Sequence, residues 1–249
     1  MSSQLHRLSV WMLLLALAGC GGGAGGSSTS FERVRFPASD GVRLDGRLYG
    51  EGSVGVVLSH MGRGGDTQLD WSGLARDLSS RGYAVLTYDR RGVCPGGTGG
   101  CSHGSDDYAD SWRDVVGAAR YLAGRGIRRT VIAGASIGAM ASLYAVARGH
   151  VHPAGIIEFG GINHASGYDF SRADIRHIAA PKLFLSSRRD IYGGGEAARE
   201  WFRWASPPRW LELVPGTQHG TDLLRADNPL RDRVQRIIVS FIERAAPPS

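Results

Sequence analysis

The sequence predicts an α/β fold: one mostly parallel central sheet with helices on both faces. Three observations carry this. Short apolar runs of strand length recur along the chain, helical segments with one apolar side separate them, and 249 residues at 42% hydrophobic and 21% charged supply a large core. Strands apolar along their whole length, joined by helices, belong to sheets covered on both sides. The composition excludes a disordered chain, a collagen-like chain and a small disulfide scaffold.

The elements follow in order. Residues 31–37 alternate polar and apolar, Ser39-Asp40-Gly41 makes a turn, and 42–49 returns as the second arm of a hairpin. Residues 54–59 and 83–88 are buried strands, and between them 70–81 spaces Trp71, Leu74 and Leu78 as a helix does. Residues 108–124 form a long amphipathic helix with Trp112, Val115, Val116, Ala119, Tyr121 and Leu122 on or near its inner side. A strand at 130–133 runs into Gly134-Ala135-Ser136-Ile137-Gly138 and a helix to Arg148. Strands follow at 154–159, 182–186 and 210–214, with helices at 195–205 and 229–244. Residues 162–180 read as irregular, with one helical segment near 173–178. Neither an internal repeat nor a second domain is evident, so 31–249 is expected to be one domain. Its crossovers are too short to build a large lid.

The first thirty residues read as an address. Arg7 and the amino terminus precede an apolar run, residues 8–18, too short to span a bilayer and suited to a signal peptide. The run ends in Leu17-Ala18-Gly19-Cys20, which resembles the bacterial lipobox. That resemblance implies a lipoprotein signal peptide over 1–19 and a diacylglycerol on Cys20; an ordinary secretory signal with Cys20 there by chance is the alternative. Residues 20–30 would then hold the lipidated Cys and a flexible Gly/Ser tether. The absence of Asp at position 21 argues, by the same resemblance, against retention at a Gram-negative inner membrane. The expected location is the cell envelope, with the chain lipid-anchored to a membrane on its extracytoplasmic side. With Cys20 lipidated, Cys94 and Cys101 remain, and an exported chain can keep them as a disulfide, or leave both as free thiols.

Charge narrows the partners. The formal charge is +6, and 28 of the 29 basic residues are Arg, Lys182 being the exception. The arginines are scattered among acids and form no stripe, which argues against a nucleic-acid partner.

The chain carries Gly-x-Ser-x-Gly twice, at 134–138 and 100–104. So glycine-rich a sequence yields roughly 0.4 such matches by chance, so context must choose. The first match follows an apolar strand and opens a helix, the strand–turn–helix setting of a nucleophile elbow. The second, around Ser102, lies in a Gly-rich loop with no strand before it. Ser136 is therefore the candidate nucleophile and Ser102 the decoy.

With Val56-Val57-Leu58-Ser59-His60-Met61-Gly62, Tyr88-Asp89-Arg90-Arg91-Gly92, the elbow at Ser136, Asp190 and His219-Gly220, the body resembles the α/β-hydrolase superfamily. It is similar to the lidless branch near dienelactone-hydrolase-like esterases, over residues 31–244. The chain order Ser, Asp, His matches that superfamily. The resemblance implies the α/β-hydrolase fold and a triad of Ser136, Asp190 and His219. A serine hydroxyl is a poor nucleophile until a base takes its proton, the role expected of His219. Asp190 is expected to fix the imidazole tautomer, although it follows Arg188 and Arg189 and has an ion-pair reading as well. The oxyanion donors expected are the Ile137 N–H and one from Met61 or Gly62; where the family usually shows His-Gly, this chain has His60-Met61-Gly62. His60 is read as structural, and Asp89 as a partner of Arg90 or Arg91. His150 and His152 lack enough companions for a metal site. Tyr192 and the glycines at 193–195 are placed near the pocket.

The expected function is a carboxylic ester hydrolase using a Ser-His-Asp triad and an acyl-enzyme, with a small-molecule acyl substrate and no metal or cofactor. A peptidase or thioesterase on the same triad, and a non-catalytic envelope binding lipoprotein, are the alternatives.

Overall fold

The computed structural model describes residues 31–59, 62, 66–94 and 101–248. The signal peptide, Cys20, the tether, His60 and Met61 lie outside the described residues. The chain opens with an antiparallel hairpin, β1 (Phe31–Pro37) and β2 (Arg43–Tyr49). It continues through β3 (Val54–Ser59), α1 (Ser72–Ser80), β4 (Tyr83–Tyr88), α2 (Trp112–Gly124), β5 (Arg129–Ala135) and α3 (Ile137–Ala147). Next come β6 (Gly155–Phe159), the short pair β7 (His164–Ala165) and β8 (Tyr168–Asp169), and α4 (Arg172–Arg176). The chain closes with β9 (Lys182–Ser187), α5 (Gly194–Trp204), β10 (Arg209–Val214) and α6 (Arg231–Ala245).

The eight long strands form one sheet in the order β1-β2-β4-β3-β5-β6-β9-β10. Pairing is parallel from β4 to β10 and antiparallel where β2 meets β4 and β1. The apolar runs have a direct cause in this arrangement. On one face Val57, Leu86, Ile132, Ile156 and Phe184 meet α2, α3 and α5 through Leu122, Met140 and Trp201. On the other, Val56, Val85, Val131, Ile157 and Leu185 meet α1 and α6 through Leu74, Leu78, Ile238 and Ile242. Successive strand residues point to opposite faces, so a strand covered twice must be apolar at every position. The layout is that of a mostly parallel α/β sheet without a large lid, as the sequence predicts.

The chain leaves β3 toward β4 on one side and later enters β5 on the other. Crevices open outside the carboxyl ends of strands at such a reversal. Ser136 follows β5 and Gly62 follows β3 at that edge.

Three local differences from the sequence reading have physical causes. The helix expected from 108 begins at Trp112, because Ser111 Oγ bonds the Tyr108 carbonyl at 2.7 Å and turns the chain first. Residues 68–71 form a 3₁₀ turn before α1 instead of its first turn. The stretch from 162 is not wholly irregular: β7 and β8 pair around Ser166 (φ 55°) and Gly167 (φ 83°), the positive-φ pair of a two-residue hairpin turn.

Candidate active site

Ser136 sits between β5 and α3 at φ 51° and ψ −117°, a backbone region unfavourable for a side-chain-bearing residue. Its N–H donates to the Phe159 carbonyl at 3.0 Å, and its own carbonyl accepts from the Met140 N–H at 3.1 Å. The turn is this tight because Gly134 has no side chain: a Cβ there would lie 2.1 Å from the Gly138 carbonyl oxygen. The result lifts the Ser136 hydroxyl out of the sheet-helix junction.

His219 reaches it from the loop after β10. Its Nε2 lies 2.7 Å from Ser136 Oγ, and its Nδ1 lies 2.9 Å from both Asp190 oxygens. The Asp190 side chain is fully buried and the His219 ring nearly so. Asp190 also accepts from the Tyr192 N–H at 2.9 Å and from Ser186 Oγ at 3.2 Å. It bonds neither Arg188 nor Arg189, which are exposed, so the ion-pair reading of Asp190 does not hold. These donors fix the Asp190 carboxyl, which in turn sets the ring with Nδ1 toward it and Nε2 toward the Ser136 hydroxyl. The Tyr192 ring packs edge-on against the imidazole, 4.7 Å between centroids.

Gly62 and Ile137, two of the expected oxyanion residues, are in contact: a Cβ on Gly62 would fall 2.0 Å from Ile137 Cγ1. Both line a cleft of about 280 Å³ with Ser136, His219 and Tyr192, and Tyr108, Ile162 and Ala165 form its other walls. The expected Met61 lies outside the described residues. A larger depression of about 850 Å³ lies at the amino edge of the sheet, around Phe31, Gly50 and Ile127, far from this constellation.

The remaining candidates have other roles. Ser102 is buried, its Oγ bonding the Asp89 carbonyl and accepting from the Asp45 N–H. Cys94 and Cys101 are joined by a disulfide, with Cα atoms 4.3 Å apart. Asp89 pairs with neither adjacent arginine; it accepts from Gln68 N–H at 2.8 Å and Nε2 at 2.7 Å, and burial raises its carboxyl. Arg91 instead bonds Asp114 at 2.7 Å and Asp40 at 3.0 Å. Burial pushes Asp114 up to about 6 against the pull of Arg91. His150 stacks on Trp112 at 4.2 Å, and His152 is exposed. Asp222 lines the cleft mouth, where its N–H donates to the His219 carbonyl.

Sequence reasoning missed Glu158. It lies in β6 at 1% exposure, with Oε1 bonded to the Gly161 N–H and Oε2 without a partner among the described residues. Burial drives its carboxyl well above the usual range, and the charge of Asp190 adds to the rise. An acid inside an otherwise apolar strand is the signal that could have found it.

A model of the alpha/beta hydrolase family matches residues 56–248. Among solved structures, a Pyrococcus furiosus esterase superposes with a TM-score of 0.70 at 14% identity, over 87% of this chain and 91% of that one. A serine hydrolase involved in carbazole degradation gives 0.67 at 17% identity, over 86% and 100%. An α/β serine hydrolase without a lid, from Xanthomonas campestris, gives 0.66 at 21% identity, over 89% and 97%. Identities this low speak for the fold alone. A search of curated proteins finds no match.

Proposed function

The chain belongs to the alpha/beta hydrolase family, and on that premise we propose that it hydrolyses carboxylic esters through Ser136, His219 and Asp190. The observation that carries the reading is the 2.7 Å contact between His219 Nε2 and the hydroxyl of a serine raised on a strained turn. In the proposed reaction His219 takes the Ser136 proton as Oγ attacks the ester carbonyl carbon. The carbonyl oxygen becomes an oxyanion facing the N–H of Ile137 and a second donor from the Met61–Gly62 segment. His219, now protonated and steadied by Asp190, returns the proton to the departing alkoxide. The acyl group remains on Ser136 until a water, deprotonated by the same imidazole, releases the acid. A cleft of about 280 Å³ is at the small end for ligand pockets, so short acyl chains are expected to turn over faster than long ones.

Fluorophosphonate labelling followed by peptide mapping tests this. Label is expected on Ser136 and absent from Ser136→Ala; label that persists in that variant refutes the assignment. A panel of p-nitrophenyl esters, thioesters and amides then reads the substrate class, with esters expected to dominate. A folded protein inert on the whole panel would favour a binding role.

The same proposal includes a lipid on Cys20 and residence on the extracytoplasmic side of a membrane. Its support is Leu17-Ala18-Gly19-Cys20 and the Cys94–Cys101 disulfide, a bond that persists in oxidising compartments. Among the described residues no helix is long and apolar enough to cross a membrane. β1 begins beside Gly50 and Ile127 at the amino edge of the sheet, opposite the cleft. Mass spectrometry of membrane-extracted protein should find acylated Cys20; an unmodified, freely soluble mature form refutes the anchor.

A further inference from the structure

We propose that Glu158 is a positioning residue: it locks the turn at the end of β6, against which Ser136, Asp190 and the His219 loop are all seated. This rests on the ester-hydrolase reading of the cleft.

Three contacts seat the constellation on this turn. The Phe159 carbonyl accepts the Ser136 N–H at 3.0 Å. Gly160, at φ 69°, lies against the other two members. A Cβ there would stand 3.4 Å from Asp190 Oδ2 and 3.0 Å from the nitrogen of Gly220, the residue after His219. Gly160 is also tied to β9, the strand that leads to Asp190, by its N–H donating to the Leu185 carbonyl at 2.9 Å. Glu158 closes the turn from beneath. Its Oε1 accepts the Gly161 N–H. A Cβ on Gly161 would meet that oxygen at 2.8 Å and the Trp201 ring at 3.2 Å, so the carboxyl and the indole fill the space below the turn. Glu158, Gly160 and Gly161 are all buried.

The physical need for such a lock lies in two consecutive glycines. Neither carries a side chain that could hold the turn by packing, and glycine backbone is the freest of all. The N–H that Glu158 grips belongs to the planar peptide joining Gly160 to Gly161. The bond therefore fixes ψ of Gly160 directly. The chain is held on both sides of that peptide, by β6 before it and by Asn163 Nδ2 donating to Glu200 after it. A rotation of the peptide is then taken up at Gly160, the residue in contact with Asp190 and Gly220. Without the carboxyl a buried N–H has no acceptor, and the turn must shift to find one. Glu158 touches neither substrate nor the reacting atoms. It acts through Gly160 on the Asp190–His219 pair.

The test measures kcat and KM for p-nitrophenyl acetate, and the low-field proton resonance of His219 Nδ1–H, which reports the Asp190 contact without turnover. Glu158→Met keeps the length of the side chain and removes the acceptor. Its kcat is expected to fall on the order of 10-fold with KM within about threefold, and the resonance to shift or broaden. Glu158→Gln restores an oxygen for the Gly161 N–H and should recover most of the lost rate and the wild-type resonance. A merely structural Glu158 would change the melting temperature of Glu158→Met and leave kcat and the resonance of the folded protein intact, which overturns the proposal. Glu158→Gln as impaired as Glu158→Met overturns it too, since the acceptor would then not be what matters. If Glu158→Met does not fold, Glu158→Val, a residue suited to strands, is judged by the same two readouts. Hydrogen exchange in the wild type needs no variant: a Gly161 amide that exchanges as fast as an exposed loop overturns the proposal by itself. Wild-type protein that takes no fluorophosphonate on Ser136 would instead overturn the ester-hydrolase reading, and this proposal with it.

Discussion

Replacing Glu158 with Gln should remove a pH dependence from the stability of the fold. The carboxyl is 1% exposed and accepts one N–H, from Gly161. The neighbouring charge that acts on it, Asp190, has the same sign. Burial and that charge outweigh the single hydrogen bond, so the folded protein keeps Glu158 protonated well above the usual carboxylate range. In the unfolded chain a glutamate releases its proton near ~4.3. Above that value the folded state holds a proton that the unfolded state has lost, and stability must fall as pH rises, by at most about 1.4 kcal/mol per pH unit. The contribution is whole below the unfolded value and is lost progressively up to the folded one. Stability therefore falls with rising pH through the interval between the unfolded and the folded value.

A glutamine at this position would keep the shape and an oxygen for the Gly161 N–H, and it has no proton to release. All other titrating groups are common to both proteins and cancel in the difference. Glu158→Gln should thus gain stability on the wild type as pH rises from about 5.5 to about 7.5, by at most about 1.4 kcal/mol per pH unit, read from urea unfolding with the m-value confirmed equal. A difference that stays constant across that range would refute the argument, because it would mean that Glu158 titrates alike in both states.

Three further outcomes follow from the same structure. Ser136→Gly should abolish turnover and raise stability by about 1 kcal/mol, since glycine tolerates positive φ; a lower melting temperature would deny the strain at φ 51°. Asp190→Asn should lower kcat by about 10⁴-fold with little change in KM, by losing control of the His219 tautomer, as steady-state kinetics would read. Cys94→Ser opens a loop closed across a sequence separation of 7 and should cost about 2.5 kcal/mol in the chain-entropy account; equal melting of wild type with and without reductant would deny it.

Much of the fold is legible in the sequence because burial on both faces leaves a continuous apolar run, and because α1, α2, α5 and α6 are one-sided, while α3 is buried nearly all round. What escapes is set by contacts distant in sequence. Two-residue strands are too short to express an alternation, so β7 and β8 leave no pattern; their hairpin is docked by the Tyr168 hydroxyl, 3.0 Å from Ser111 Oγ and 3.1 Å from the Trp112 N–H. In the candidate site, Ser136 and His219 are legible from chain order and from the strand before the elbow, whereas their contact across 83 residues is a fact of the fold. Adjacency assigns Asp89 to a neighbouring arginine, and adjacency is a poor guide where successive side chains diverge. Arg91 turns to Asp114 and Asp40, and Arg90 to Asp106 and Gly62, leaving Asp89 to Gln68. Glu158 escapes because the apolar pattern around it marks a strand without saying that the acid itself is buried.

These exceptions gather in one place. Ser136 breaks a backbone preference, Glu158 is an acid in an apolar layer, and Gly62 and Gly134 occupy positions where a methyl group would collide. Each lowers stability or removes a packing side chain, and all lie within one or two contacts of the cleft. The chain links them directly: Phe159, next to Glu158, accepts the Ser136 N–H, and Ile137, next to Ser136, fills the space that Gly62 leaves. A fold selected for stability alone would relax them, since glycine at 136 and glutamine at 158 are each expected to stabilise. Their occurrence together is the pattern expected where backbone geometry serves the position of a hydroxyl more than the free energy of the core.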